Sequence, residues 1–108
     1  MNDKDKIALL KELIATKQIN EYAYYDAVRK CEVSQKGYDC YMTTSPINCD
    51  VELHRLPTAD YDLCCALLTM LLREDHFCNG SFERRYANGE VTPIIERMIM
   101  ILEGKQKL

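Results

Sequence analysis

The residues of this 108-residue chain best suited to metal binding or nucleophilic chemistry are two histidines, His54 and His76, and six cysteines, Cys31, Cys40, Cys49, Cys64, Cys65 and Cys78. A zinc reading would group Cys40, Cys49 and His54, with His76 and Cys78 as a second set. Structural zinc sites usually present closely spaced Cys-x(2–4)-Cys pairs, because a short knuckle brings two thiolates onto one tetrahedron. Cys40 and Cys49 are instead separated by eight residues. The alternation around Cys49 also sets it on the opposite face from His54, so no metal and no cofactor is expected. A Cys-His nucleophile needs an imidazole within hydrogen-bond reach of a partly exposed thiol. Cys64 and Cys65 lie in a strongly apolar stretch, where a small buried hydrophobe is the simpler role. The chain has no Walker loop, Gly-rich dinucleotide fingerprint, Gly-x-Ser-x-Gly elbow or His-Glu-x-x-His helix. No catalytic residue is assigned, and the balance falls against an enzyme.

The densest charged constellation is Arg73-Glu74-Asp75-His76, followed by Arg84-Arg85. Such runs are usually solvated faces whose ion pairs contribute little. Their functional reading is an Arg/acid cluster at the end of a helix, able to bind a carboxylate, a phosphate or a partner loop. Arg73, Asp75, His76, Arg84 and Arg85 are therefore the candidate binding residues. Tyr22 and Tyr24 join them as interface anchors, since aromatics dominate hot spots and the chain has seven tyrosines and no tryptophan.

Composition bounds the function classes. With 47% hydrophobic and 29% charged residues the chain is an ordinary globular domain, not a disordered one. Fourteen Lys and Arg against 17 Asp and Glu leave a net charge of -3, which speaks against direct nucleic-acid binding. The longest apolar run, residues 63–72, is broken by Thr69 and falls short of the roughly 20 residues a membrane span needs. The N-terminal residues 1–6 mix both charge signs and do not read as a secretory signal, so the expected location is the cytoplasm, with the cysteines as thiols. Asn79-Gly80-Ser81 is then a turn and not a glycosylation site.

The elements that must position these residues follow from periodicity and caps. Ile7, Leu10 and Ile14 mark a first helix, capped by Asn2 or Asp3 and ending near Lys17 or Gln18. Asn20 caps a second helix through Cys31, with Tyr25, Val28 and either Tyr24 or Cys31 inward. Alternation of Tyr38, Cys40 and Met42, and again of Cys49, Val51 and Leu53, predicts an antiparallel hairpin over residues 38–55, turning at residues 44–47. Thr58 caps a central helix over residues 59–73 whose apolar residues run nearly all the way round. A short helix follows over residues 82–88, with Ser81 as its cap and Gly89 as its left-handed stop. Thr92 and Pro93 open a last helix that Gly104 ends, leaving residues 105–108 as a solvated tail. The short and last helices imitate a helix-turn-helix, but Arg84, Arg85 and Arg97 are balanced by Glu83, Glu90 and Glu96. The expected fold is one α+β domain over residues 1–104, mostly helical, with four or five helices around the central one and a single hairpin.

The segment 71–98 resembles the C-terminal signature of a family of small bacterial proteins of unknown function: an apolar helix, then Arg-x-Glu-Arg-Phe-Cys-x-Gly, a short helix, a glycine turn and a final apolar helix. Arg73, Phe77, Cys78, Gly80 and Gly89 match; Asp75 and His76 stand where that family tends to have Glu and Arg. The resemblance implies a cytoplasmic, non-membrane bacterial protein, of a kind also found on mobile elements, with no activity attached. From the residues themselves, Gly80 and Gly89 suit positive φ and Phe77 is expected to fill the core beside the central helix.

These readings favour a non-catalytic interaction protein, an accessory or inhibitor, whose partner is another protein or a second copy of the chain. The alternatives are a small-molecule binder or small enzyme using Arg73, Asp75, His76 and Arg85, and an acidic inhibitor of a nucleic-acid enzyme. The last would gather Asp3, Asp5, Asp39, Asp50 and Glu52 on one face.

Overall fold

The amphipathic and all-round apolar stretches fold into six α-helices, in a computed structural model that describes residues 1–16, 19–32 and 36–106. They are α1 (Asp3–Ala15), α2 (Glu21–Cys31), α3 (Cys49–Leu53), α4 (Tyr61–Phe77), α5 (Ser81–Ala87) and α6 (Thr92–Gln106), with 3-10 turns at Tyr38–Tyr41 and Leu56–Thr58. Helix α4 is the hub, as its all-round apolar sequence requires: Cys64, Cys65, Ala66, Leu67, Leu68, Met70, Leu71 and Leu72 are all buried. Helices α2, α3, α5 and α6 and the turn at Tyr38–Tyr41 pack on it, and α1 lies across α2 and α6. Lys11 of α1 ties to Glu103 of α6 at 3.1 Å, and the buried Lys6 holds its ammonium 5.7 Å from the Tyr61 ring.

Local signals and structure agree at several starts. Asn2 accepts from Asp5 N, and Asn20 from the N–H groups of Tyr22 and Ala23, as N-cap side chains should. Gly80 and Gly89 adopt φ of 86° and 74°, the left-handed region that L side chains disfavour. Helix α4 starts later than expected, because Asp60 and not Thr58 supplies the cap, accepting from Leu63 N at 2.8 Å. It also runs one further turn, to Phe77. Helix α6 continues through Gly104 to Gln106, with Lys105 5.8 Å from the Tyr61 ring. The expected end of α1 at Lys17 or Gln18, and the final two tail residues, lie outside the described residues.

The hairpin is the main correction: no strand occurs among the described residues, and the fold is all-helical rather than α+β. Cys49, Val51 and Leu53 alternate, but Cys49, Glu52 and Leu53 are also spaced i, i+3, i+4, and this helical face turns inward. Val51, assigned to the buried side of a strand, is 45% exposed, whereas Glu52, assigned to the solvent side, is completely buried. Asn48 caps the short helix by accepting from Val51 N at 3.2 Å. Glu52 then organises the preceding loop. Its carboxylate accepts from Thr43 N and Oγ1, from Thr44 N and Oγ1, and from Arg55 Nη1 at 2.8 Å. Burial by itself would raise its pKa, but the Thr44 hydroxyl, Arg55 and the two backbone N–H groups outweigh it and hold the carboxyl at about 2. A strand register would expose this residue and strand its donors.

Candidate functional site

The charged run predicted as a binding loop divides into an interior half and an exterior half. Glu74 and Arg85, one helical turn before the end of α4 and near the end of α5, form a bidentate pair, with Nε and Nη2 of Arg85 donating at 3.0 and 2.8 Å. Their side chains are 19% and 15% exposed. Nη1 of Arg85 reaches Asp50 of α3 at 2.5 Å and Glu90 at 3.3 Å, so one guanidinium ties three acids from separate segments. Glu74 also accepts from Ser81 Oγ, and the Cys49 thiol contributes to its field. The Arg85 fork, ahead of these other donors, pulls the Glu74 carboxyl down to about 2. Arg85 therefore has its hydrogen-bonding edges occupied within the fold. It is a tie between α3, α4 and α5, not an open anion receptor.

Asp75 does two things. Gly80 offers α5 no side-chain cap, and Asp75 substitutes from α4 by accepting from Phe82 N at 3.1 Å. Its carboxyl also shares the groove with Glu21 at the start of α2; burial first, and then Asp75, raise the Glu21 pKa. His76 Nε2 lies 2.8 Å from Tyr25 Oη. The Tyr25 hydroxyl has one proton, and with that proton directed to the Leu72 carbonyl at 3.0 Å, Nε2–H of His76 is the donor to the phenol oxygen. Partial burial pushes the Tyr25 phenol up.

These groups line a groove of about 1030 Å³ between the start of α2 and the end of α4, to which Tyr22, Arg73 and Glu83 also contribute. Tyr22 is 85% exposed. Tyr24 faces the opposite way: it is 2% exposed and packs edge-on against Phe82, ring centroids 5.1 Å apart, leaving no surface to offer a partner. A second groove, about 610 Å³, runs along the other side of Arg73 between Tyr38, Ile47, Cys49, Phe77 and Arg85. Phe77 was expected in the core but is 88% exposed, because α4 extends beyond the bundle; Phe82, fully buried, fills the core position instead. Arg84 is exposed on α5. Sequence reasoning missed Glu21, Tyr25, Glu52 and Phe77. Only for Tyr25 did a signal exist, in the crowding of aromatics after Asn20.

The thiols follow burial. Burial raises the Cys31 thiol and lifts Cys64 to about 11; Cys65 moves the same way. Burial, reinforced by Glu74, lifts Cys49 to about 12. Cys40 and Cys78 are exposed. Brief treatment of the native protein with iodoacetamide is expected to label Cys40 and Cys78 while Cys31, Cys64 and Cys65 react only after unfolding. Mass spectrometry of the peptides reads this, and equal labelling of Cys64 and Cys78 in the native protein would contradict it. Among the described residues no group of three His, Cys, Asp or Glu side chains is arranged to hold a metal ion.

A family of unknown function (DUF6508) matches residues 40–104. The chain belongs to this family. The DUF6508 match spans α3 to α6 and so contains the Glu52 loop and the whole Arg85 tie, while the first groove takes Glu21, Tyr22 and Tyr25 from α2, outside it. No curated protein and no solved structure matches the chain. No helix among the described residues is long and apolar enough to cross a membrane.

Proposed function

We propose that this member of the family is a non-catalytic protein-interaction protein, an accessory or inhibitor of a bacterial and mobile-element-borne kind, acting in the cytoplasm. The observation that carries this reading is the pair of grooves on either side of Arg73, each with a prominent exposed aromatic, Tyr22 at 85% and Phe77 at 88%. Aromatic and arginine side chains on a well-packed helix end are the usual anchors of protein interfaces. Arg73, borne by the buried hub α4, lines both grooves and so shares a surface with each exposed ring. The acidic-inhibitor alternative loses support, since Glu52 is buried and Asp50 is paired with Arg85.

The test is affinity capture from nuclease-treated bacterial lysate with the wild type and with Tyr22→Ala/Phe77→Ala as baits. One stoichiometric protein is expected with the wild type, reduced by about tenfold with the double variant. Met100→Ala, an exposed apolar change on α6, should leave capture unchanged. Absence of a partner, or capture insensitive to both aromatics, sinks the reading. The small-molecule alternative rests on the 2.8 Å contact between Tyr25 and His76, a polar pair facing the larger groove. It would then take precedence, with ligand screening monitored at His76.

A further inference from the structure

The groove beside α2 gathers three acids, Glu21, Asp75 and Glu83, in its lining. Several acids elsewhere meet cations: Asp26 with Arg29 and Lys30, Glu103 with Lys11, Glu52 with Arg55, and Glu74, Asp50 and Glu90 with Arg85. Within the groove, after burial, the charges of Asp75 and Glu83 both raise the Glu21 pKa. Arg73, shared with the second groove, and His76 are the basic side chains of the lining. His76 is engaged by Tyr25. The Tyr22 ring stands almost fully exposed beside the acids.

We propose that this groove docks a basic segment of the partner protein, an arginine or lysine of which lies against Tyr22 while its charge meets the carboxylates of Glu21, Asp75 and Glu83. The assignment rests on the interaction reading above and specifies the partner's chemistry. Charge complementarity supplies the argument: a cation entering here relieves the mutual repulsion of the acids that line the groove, and the tyrosine face adds a cation-π contact. The overall charge of -3 favours approach of such a segment from a distance. An acidic or neutral segment would leave the three carboxylates facing each other. Arginine suits the site better than lysine, because its planar fork can stack on Tyr22 and bridge the Glu21–Asp75 pair at once.

The probe is a short acetylated and amidated peptide of alternating glycine and arginine, labelled for fluorescence anisotropy, with a glycine-glutamine peptide for comparison. Saturable one-to-one binding of the arginine peptide is expected. Glu21→Gln/Glu83→Gln should weaken it by about tenfold and Tyr22→Ala by about fivefold. Glu12→Gln/Glu96→Gln removes the same net charge from exposed positions elsewhere on the molecule and should change affinity by less than about twofold. Circular dichroism checks that each variant is folded. No binding, equal loss in the two double variants, or equal binding of the glutamine peptide overturns the assignment. If the peptide fails while partner capture succeeds with its dependence on Tyr22 and Phe77, the basic-segment assignment alone falls. If both fail, the interaction reading falls with it.

Discussion

Arg85→Met is expected to destabilise the fold by about 3 kcal/mol, measured as the urea midpoint with an unchanged slope. The side chain is 15% exposed and its fork serves Glu74, Asp50 and Glu90. Methionine preserves most of the packing volume but leaves Glu74, 19% exposed and ionised, without its bidentate partner. Breaking a largely buried pair by removing one member is costly because the other remains charged in a poor solvent. Exposed ion pairs such as Arg29–Asp26 lack that penalty. For a chain of this size the loss corresponds to a fall in Tm of more than about 12 °C. Arg85→Lys should recover only part of it, since an ammonium cannot reproduce the fork. Arg84→Met, one residue away and exposed, should change stability by less than about 0.5 kcal/mol. A loss under about 1 kcal/mol in Arg85→Met would show that the tie between α3, α4 and α5 is dispensable.

Acid should unfold this protein through the same kind of group. Glu52 and Glu74 have their pKa lowered from 4.5 to about 2 in the folded state. Between those values the unfolded chain binds more protons than the folded one, so stability rises with pH. Their contribution is fully present above about pH 4.5 and is lost as pH falls toward about 2; each shift is equivalent to about 3 kcal/mol. Glu21 runs the other way: its pKa is raised, so its contribution is present at low pH and lost as pH rises, and its partial exposure keeps it small. The net expectation is a steep loss of stability in acid. Glu52→Gln should cost about 3 kcal/mol at neutral pH, because an amide cannot accept from both threonines while leaving Arg55 neutralised. It should also flatten the pH dependence by up to about one proton between about pH 5 and about pH 3. Urea titrations across that range measure both, and an unchanged slope would show that Glu52 does not couple folding to acid.

Glu52 also shows why the hairpin was misread. Over five residues, an alternating pattern and one helical turn place apolar residues at overlapping positions, and the deciding residue was a glutamate whose burial no periodicity announces. Its donors, Thr43, Thr44 and Arg55, are all local, yet their convergence depends on α3 seating against α4. The long helices were legible because repeated apolar spacing over many residues leaves one solution. The polar half of the site was not: the distance between Glu21 and Asp75, or Arg85 and Asp50, is set by how α2 and α3 pack on the hub.

By itself the sequence determined the helices α1, α2, α4, α5 and α6, a first cap at Asn2 or Asp3 and a second at Asn20, the left-handed glycines 80 and 89, and the burial of α4 on several sides. These are consequences of backbone geometry and apolar periodicity, which act within one element. Tertiary structure alone decided that Glu52 and Glu74 lie inside and Phe77 outside, that Tyr24 and Tyr22 face opposite ways in their effects, and that Glu21 meets Asp75 at a groove. Those outcomes depend on which charged side chains find partners when the elements assemble, and a buried charge is tolerated only where a neighbour from elsewhere in the chain satisfies it.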